Sequence, residues 1–294
     1  MKINRKLLAI PSVAAFVAAV LFLIFHARSP VLILAEQSFL SFYGEDRIKQ
    51  ESFYASLSLF RPVKTVVVAS DAGDDLVQYA IENISSRPYY VLFPLRFARS
   101  AEIYHGQNPD IRIILLEGRI PQRDDRSDRQ AGFFIYRTDL ESDFFRAGIA
   151  SAALDNENSG KTALFIEPHV LQQAREAFFL AFEGQEKQPE AYFFTSFSAF
   201  SGIQDLSCVV MAGNGYEYLN EKSGVPVILF SWLNPFLAPS DVVLIVNDSP
   251  WVQAVRAVKL ADTGEMTGNI PSKFLAADKN KVNRGLLRRI QFDH

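Results

Sequence analysis

The chain has 294 residues, of which 49% are hydrophobic and 21% are charged, and its formal net charge is -3. This length allows one large domain or two of ordinary size, with enough apolar residues for a core. The near-neutral charge gives no support for nucleic-acid binding, which would need a concentrated basic face. Cys208 is the only cysteine, so the chain can form neither an intramolecular disulfide nor a cysteine-based metal site.

Residues 1–28 are predicted to be a membrane anchor or signal segment. Lys2, Arg5 and Lys6 precede an uncharged, mostly apolar run of 19 residues, Leu7–Phe25, and about 20 such residues cross a bilayer as a helix. A cleaved signal peptide usually has a shorter apolar core and a small-residue cleavage site. An uncleaved anchor is therefore favoured over a cleaved signal. The basic residues predict a cytoplasmic N-terminus and an extracytoplasmic globular part.

A first block of alternating strands and helices is predicted from about residue 31 to residue 136. Short apolar runs predict four strands, at residues 31–36, 64–70, 89–95 and 111–118. Helices are predicted within 45–60, after the second strand and around 98–105. The very polar stretch 119–130 is predicted to be an exposed loop.

A second block of similar length and alternation follows, from about residue 137 to residue 246. It is introduced by the apolar strand GFFIYRT (132–138), and a helix (139–156), a strand (161–168) and a helix (169–184) come next. Further strands are predicted at residues 191–196, 208–213, 225–232 and 241–246, and a last helix at about 250–262. Two blocks of like pattern predict two α/β lobes rather than one long sheet.

Several segments correspond to motifs of one known family. They are Leu116-Glu117-Gly118, Arg137-Thr138-Asp139, Arg146-Ala147-Gly148-Ile149-Ala150 and Gly160-Lys161-Thr162-Ala163, with flanking likeness over 89–110 and 242–269. In these residues the chain resembles the basic membrane protein family of substrate-binding lipoproteins, whose best-understood members are purine-nucleoside receptors.

The resemblance implies a type I periplasmic-binding-protein fold. That fold has two doubly wound parallel-sheet lobes joined by three crossovers, here preceded by the predicted transmembrane helix, with ligand held in the cleft. The implied lobes are 30–137 plus about 248–275, and 138–247 plus about 276–294. The implied function is that of a membrane-anchored extracytoplasmic solute-binding protein of an ABC-type uptake or sensing system. Its partners would be a nucleoside-like or sugar-like solute and an ABC transporter permease, without a cofactor.

The chain departs from the family where the ligand would be held. After the first strand, Ser38 and Phe39 match the family motif, but Leu40 and Ser41 replace its Asn and Gln. No acid stands near Phe230-Ser231-Trp232, where the family has an aspartate. The lipid-attachment cysteine is also absent. These departures support an alternative: a degenerate binding-protein fold that serves as a protein-interaction or envelope structural module.

Candidate ligand-binding residues are the polar and aromatic residues at predicted strand ends and beside the crossovers. They are Glu36, Phe39, Asp71, Glu117, Arg137, Asp139, Phe144, Asn214, Trp232 and Asp248.

All of these candidates except Glu36 also have a structural interpretation. Phe39 is as well explained as a core ring, and helix capping explains Asp71, Asn214 and Asp248. Glu117 can pair with Arg119, and the two charged residues Arg137 and Asp139 can pair with each other. Phe144 and Trp232 are candidate rings for the second wall of the cleft, but core positions suit them too.

Catalytic and metal-binding patterns are absent from the sequence. The four histidines lack metal-ligand spacing, and no G-x-S-x-G elbow is present. Residues 159–162 look like the end of a phosphate-binding loop, but they lead into a predicted strand instead of a helix. The sequence therefore predicts a protein that is not an enzyme and holds no metal.

Overall fold

The structure is a computed structural model. It describes residues 24–25, 27–69, 71–84, 86–117, 131–154, 160–183, 190–200, 203, 205–213, 216–220, 224–231, 239–277 and 281–292. Twelve strands lie in this part of the chain and form two six-stranded sheets.

The first sheet is entirely parallel, with strand order β11-β5-β4-β3-β1-β2. Its strands are β1 (Val31–Glu36), β2 (Val63–Val68), β3 (Tyr90–Pro94), β4 (Arg112–Leu116), β5 (Phe133–Thr138) and β11 (Thr267–Ile270). The central strands are apolar runs because helices bury both faces. The four strands predicted in the first block and the strand that follows them are confirmed.

The second sheet has order β12-β10-β9-β8-β6-β7. Its strands are β6 (Lys161–Phe165), β7 (Glu190–Phe194), β8 (Leu206–Met211), β9 (Val227–Phe230), β10 (Val242–Asn247) and β12 (Lys273–Ala276). β12 runs antiparallel to β10, so the expectation of a purely parallel second sheet is wrong at its edge.

Eight α-helices lie in the described part of the chain. They are α1 (Gln37–Tyr43), α2 (Glu45–Leu59), α3 (Asp74–Glu82), α4 (Ala98–Gln107), α5 (Leu140–Leu154), α6 (Leu171–Leu180), α7 (Pro250–Thr263) and α8 (Lys281–Phe292). In the first lobe α2 and α7 cover one face of the sheet, and α3 and α4 cover the other.

The second lobe is covered differently on its two faces. Helices α5, α6 and α8 bury one face. The other face carries no α-helix within the described residues and is covered by loop side chains such as Phe197, Phe200 and Tyr218. The expectation that both lobes are doubly wound is therefore wrong for the described part of this lobe.

The chain passes between the two lobes three times. β5 leads into α5 of the second lobe, β10 leads back into α7 of the first, and β11 is followed directly by β12. Residues 273–276 thus pair in the second sheet, whereas the sequence prediction extended the first lobe to about residue 275. The α/β architecture with two sheet-containing lobes is confirmed.

No helix within the described residues is both long and apolar enough to cross a membrane. The predicted anchor, residues 1–28, lies largely outside those residues.

Candidate functional site: the cleft between the lobes

Two strand ends show how the sheets face each other. β5 ends at Thr138 and α5 of the other lobe begins at Leu140; β10 ends at Asn247 and α7 begins at Pro250. Because each strand enters the opposite lobe within a few residues of its carboxyl end, the carboxyl edges of both sheets border one cleft. Open α/β sheets bind ligands outside the carboxyl ends of their strands. This cleft is the candidate site.

An ion pair joins two strand ends on the first-lobe wall. Glu36 is the last residue of β1, and Arg96 lies in the 3-10 turn that follows the neighbouring strand β3. Arg96 Nη1 is 3.1 Å from Glu36 Oε2, and the side chains are 54% and 21% exposed. Ser38 Oγ also donates to Glu36 Oε2 over 3.3 Å. This wall therefore presents accessible hydrogen-bond donors and acceptors at its edge.

A second ion pair lies nearer the crossovers and is more deeply buried. Arg137 Nε of β5 donates to Glu117 Oε2, just past β4, over 2.8 Å, and the two side chains are only 19% and 4% exposed. A buried charge must be paired because transfer from water is costly. The pair therefore fixes the ends of β4 and β5 in one arrangement.

Asp143 ties α5 to the β11–β12 crossover. Its fully buried carboxylate lies 2.5 Å from Arg146 Nη2 and accepts hydrogen bonds from the backbone N–H, over 2.8 Å, and the hydroxyl of Ser272. Burial raises the pKa of Asp143 to about 6, although the Arg146 guanidinium opposes this effect. Burial also lowers the pKa of Arg146.

The other two crossovers are held by buried hydrogen bonds as well. Gln253 Nε2 donates to Thr138 Oγ1 over 3.0 Å, across the first and second crossovers. The hydroxyls of Tyr43 and Ser249 lie 3.2 Å apart, and burial raises the pKa of Tyr43. The backbone of Ser249 in turn donates to Asn247 Oδ1 over 2.9 Å. All three connections are thus ordered segments of defined geometry.

Aromatic rings cluster at the carboxyl edge of the second sheet. Phe165 and Phe194 end β6 and β7, and Phe197 and Phe200 follow β7. Their ring centroids lie 5.4 to 6.2 Å apart in the contacts that link them, and Tyr218 completes the cluster. Phe165 is buried, whereas Phe194, Phe197 and Phe200 are partly exposed. The second wall therefore offers apolar ring surface, as small-molecule pockets commonly do.

Three predicted site residues lie together on the first wall: Glu36, Glu117 and Arg137. Glu117 pairs with Arg137; the alternative partner Arg119 lies outside the described residues. The Asp139 carboxylate has a partner other than Arg137: its Oδ1 accepts a hydrogen bond from the Ser142 backbone N–H over 3.1 Å. That bond is the capping interaction expected at the start of a helix.

Phe144 corrects the sequence interpretation. The ring is 1% exposed and stacks on Phe230 with centroids 4.9 Å apart, inside the second-lobe core. It is unavailable to a ligand. Asp71 lies exposed in the turn after β2, and Asp248 is partly buried in the second crossover.

Three remaining candidates fall where the structure gives no side-chain description. Phe39 belongs to α1 by its backbone, but its side chain lies outside the described part. Asn214 and Trp232 lie outside the described residues altogether.

Sequence reasoning missed Arg96 and the rings around Phe197. Arg96 follows the predicted strand at 89–95, so the strand-end rule applied to Asp71 would have found it. The four phenylalanines between residues 193 and 200 were visible as a concentration, but only tertiary pairing brings Phe165 to them. No group of three metal-ligating side chains occurs among the described residues.

The chain matches no protein-family profile and no curated protein, but it resembles solved structures over most of its length. An ABC transporter solute-binding protein from Conexibacter woesei aligns at TM-score 0.59 and 11% identity, over 90% of this chain and 94% of that one. The arabinose-binding protein AraP from Geobacillus stearothermophilus aligns at 0.58 and 13%, over 87% and 98%. The chain has the two-lobed fold of periplasmic solute-binding proteins.

The same fold carries other functions. A transcriptional activator of the comK gene from Bacillus halodurans aligns at TM-score 0.55 and 13% identity, over 90% of this chain and 96% of that one. Identities this low establish the fold alone, and function has to be argued from the site.

Proposed function

We propose that the protein is a membrane-anchored, extracytoplasmic solute-binding protein of an ABC-type uptake or sensing system, which captures a sugar-like or nucleoside-like ligand between its lobes. The observation that carries the proposal is the charged first-lobe wall. It brings Glu36, Arg96, Glu117 and Arg137 from neighbouring strand ends to the edge of the cleft. The proposal is supported by the fold likeness, which includes an arabinose-binding protein.

The two walls suit a polyhydroxylated solute. A carboxylate accepts and a guanidinium donates, so the exposed pair Glu36–Arg96 can bind adjacent ligand hydroxyls from both sides. The buried pair Glu117–Arg137 positions the wall. On the other lobe, the partly exposed rings of Phe194 and Phe197 can cover the apolar face of a sugar or base.

Binding would close the lobes about the three crossovers. A ligand shifts such an equilibrium only through contacts that differ between the open and closed states. Here those contacts would be the ones to the second wall, added to those already made with the first. The ordered hydrogen bonds at the crossovers confine the motion to a hinge.

Native mass spectrometry of the full chain, purified gently in detergent, tests the proposal. A discrete small-molecule adduct that is lost on denaturation is the expected result, and its mass identifies the ligand. Arg96→Ala should lose the adduct. Arg99→Ala is the control, because Arg99 is a nearby surface arginine that is also paired with a carboxylate, that of Asp74, and it should retain the adduct.

The second candidate function is an interaction or envelope module that binds no solute. One observation favours it: each arginine of the first wall is paired with a carboxylate of the same wall, so a ligand must compete with these pairs or add to them. A bare protein, with no thermal shift from a panel of sugars, nucleosides and amino acids, would support this alternative and reject the solute-binding proposal.

A further inference from the structure

An aromatic patch lies at the end of the first lobe opposite the cleft. On α2, Phe53, Leu57 and Phe60 just after it follow at i, i+4 and i+7, so they lie on one side, and Tyr54 is beside them. These four side chains are 59%, 57%, 38% and 54% exposed, respectively. Contiguous exposed apolar surface of this kind marks a contact site rather than an ordinary soluble face.

The patch is joined to the segment that emerges from the predicted span. The rings of Phe25 and Phe60 are 6.0 Å apart, edge to face. Arg28 Nη1 donates to the Phe60 carbonyl over 3.3 Å, with its guanidinium 5.0 Å from the ring centroid. Arg61 Nη1 donates to the Ser29 carbonyl over 2.9 Å. Phe25, Arg28 and Ser29 therefore lie directly against the lobe.

The groove beside the patch is lined by positive charges. Phe53, Leu57 and Phe60 of the patch line a groove of about 660 Å³ together with Phe25 and Pro30, and its charged lining residues within the described chain are Arg28 and Lys64. Aromatic rings at the water–hydrocarbon boundary, with Lys and Arg reaching the headgroups, are the side chains that membrane interfaces favour.

The geometry points to the bilayer surface as the occupant: we propose that the patch formed by Phe53, Tyr54, Leu57 and Phe60 rests in the headgroup region of the membrane. The predicted 19-residue apolar run ends at Phe25, the residue that contacts Phe60. A span that leaves the hydrocarbon at this point brings the patch to the interface with it. This inference rests on the uncleaved anchor of the proposed function.

The contact fixes the orientation of the binding cleft. The patch lies at the amino ends of β1 and β2, beside Pro30 and Pro62, whereas the cleft lies at the carboxyl ends. Six strand residues span about 20 Å, so the first-lobe wall is held about that far from the bilayer. The first lobe is then fixed on the membrane, and the second lobe is the one that moves on closure.

Depth-dependent fluorescence quenching tests the contact. The full chain carrying Leu57→Cys is labelled with an environment-sensitive fluorophore; the native Cys208 is buried and does not compete for the label. It is reconstituted in vesicles of equal parts phosphatidylethanolamine and anionic phosphatidylglycerol, with nitroxide quenchers on the lipid headgroups. The matched control is Leu76→Cys, an exposed leucine at the cleft end of the same lobe.

The expected result is loss of most of the Leu57 label's fluorescence with little change for the Leu76 label. Equal quenching at both positions in chains that float with the vesicles would overturn the membrane contact while the anchor stands. A chain that does not float would overturn the anchor and the contact together. Disulfide formation between two unlabelled Leu57→Cys chains on oxidation with copper phenanthroline, together with an unquenched label in the labelled sample, would assign the patch to a second copy. Solute binding is read separately by mass spectrometry, so its failure is distinguishable.

Discussion

Arg137 and Glu117 form a buried ion pair, with Arg137 Nε 2.8 Å from Glu117 Oε2, where the chain is about to leave the first lobe. Glu36 and Arg96 form an exposed pair at the ends of β1 and β3, the two strands that come after β5 and β4 in the sheet. The first-lobe wall thus carries two carboxylate–guanidinium pairs, one buried and one exposed. In the proposed function, the buried pair has a positioning role and the exposed pair contacts the ligand.

Arg137→Ala should destabilise the protein by about 3–5 kcal/mol, because it removes the guanidinium from a buried carboxylate. Arg96→Ala is the matched control: its exposed pair contributes about 0.2–1 kcal/mol. The free energy of unfolding from urea titrations of both variants is the measurement. An equal decrease in the free energy of unfolding for the two variants would show that burial does not make the Arg137 pair more important for stability than the Arg96 pair.

Asp143 should give the stability a particular pH dependence. Its pKa is raised by burial from the ordinary 3.8 to about 6, so the folded chain binds this proton more tightly than the unfolded chain. The stabilisation is fully present below the ordinary pKa and is lost as the pH rises through about 6. The difference between the two pKa values corresponds to about 3 kcal/mol of stability.

The measurement is the free energy of unfolding of the native chain minus that of Asp143→Asn, at several values between about pH 4 and pH 7. This difference should fall as the pH rises. A difference that is constant across the range would mean that Asp143 keeps an ordinary pKa.

Apolar runs in the sequence were sufficient to predict the central strands. The apolar runs at β1, β3 and β4 are buried as predicted, and the predicted helix at 169–184 forms α6, which buries Ala174 and Phe178. The short strands β11 and β12, which follow the last predicted helix, were not predictable in the same way. β11 (TGNI) has only one large apolar residue, Ile270. It becomes a strand because it pairs with β5 beside the crossover.

The site was predictable only in part, for a related reason. Strand-end residues such as Glu117 could be placed by topology, but the partner of a charged side chain depends on which strands are neighbours. The sequence offered Arg119 as an alternative partner for Glu117 and Asp139 as one for Arg137, because each is near in the chain. The parallel β4–β5 pairing instead brings Arg137 to Glu117. Phe144 was misplaced because its helix start lies beside the cleft while its ring points into the core.

Gly148 should tolerate no side chain, because α5 and α6 approach closely at this position. A Cβ atom there would lie 2.7 Å from the Ala181 Cβ and 2.8 Å from the Phe178 carbonyl oxygen. Overpacking of this kind typically costs about 1–3 kcal/mol, so Gly148→Ala should lower the free energy of unfolding by that amount. Gly285→Ala in α8 meets nothing within 4 Å and should stabilise the helix by about 0.5–1 kcal/mol. If both alanines stabilise, the helix contact is looser than the structure has it.

Phe144 and Phe197 should separate core packing from ligand contact in the second lobe. Phe144 is fully buried against Phe230, so Phe144→Ala should cost about 3–5 kcal/mol. That variant can fail to fold, so Phe144→Leu is tested beside it. Leucine keeps most of the side-chain volume, and this variant should leave solute affinity unchanged.

Phe197, partly exposed at the cleft edge, should behave in the opposite way: Phe197→Ala loses affinity with a small change in stability. Calorimetric titration with the ligand found by mass spectrometry, alongside thermal unfolding, measures both. Weaker binding in Phe144→Leu with unchanged binding in Phe197→Ala would reverse the two assignments.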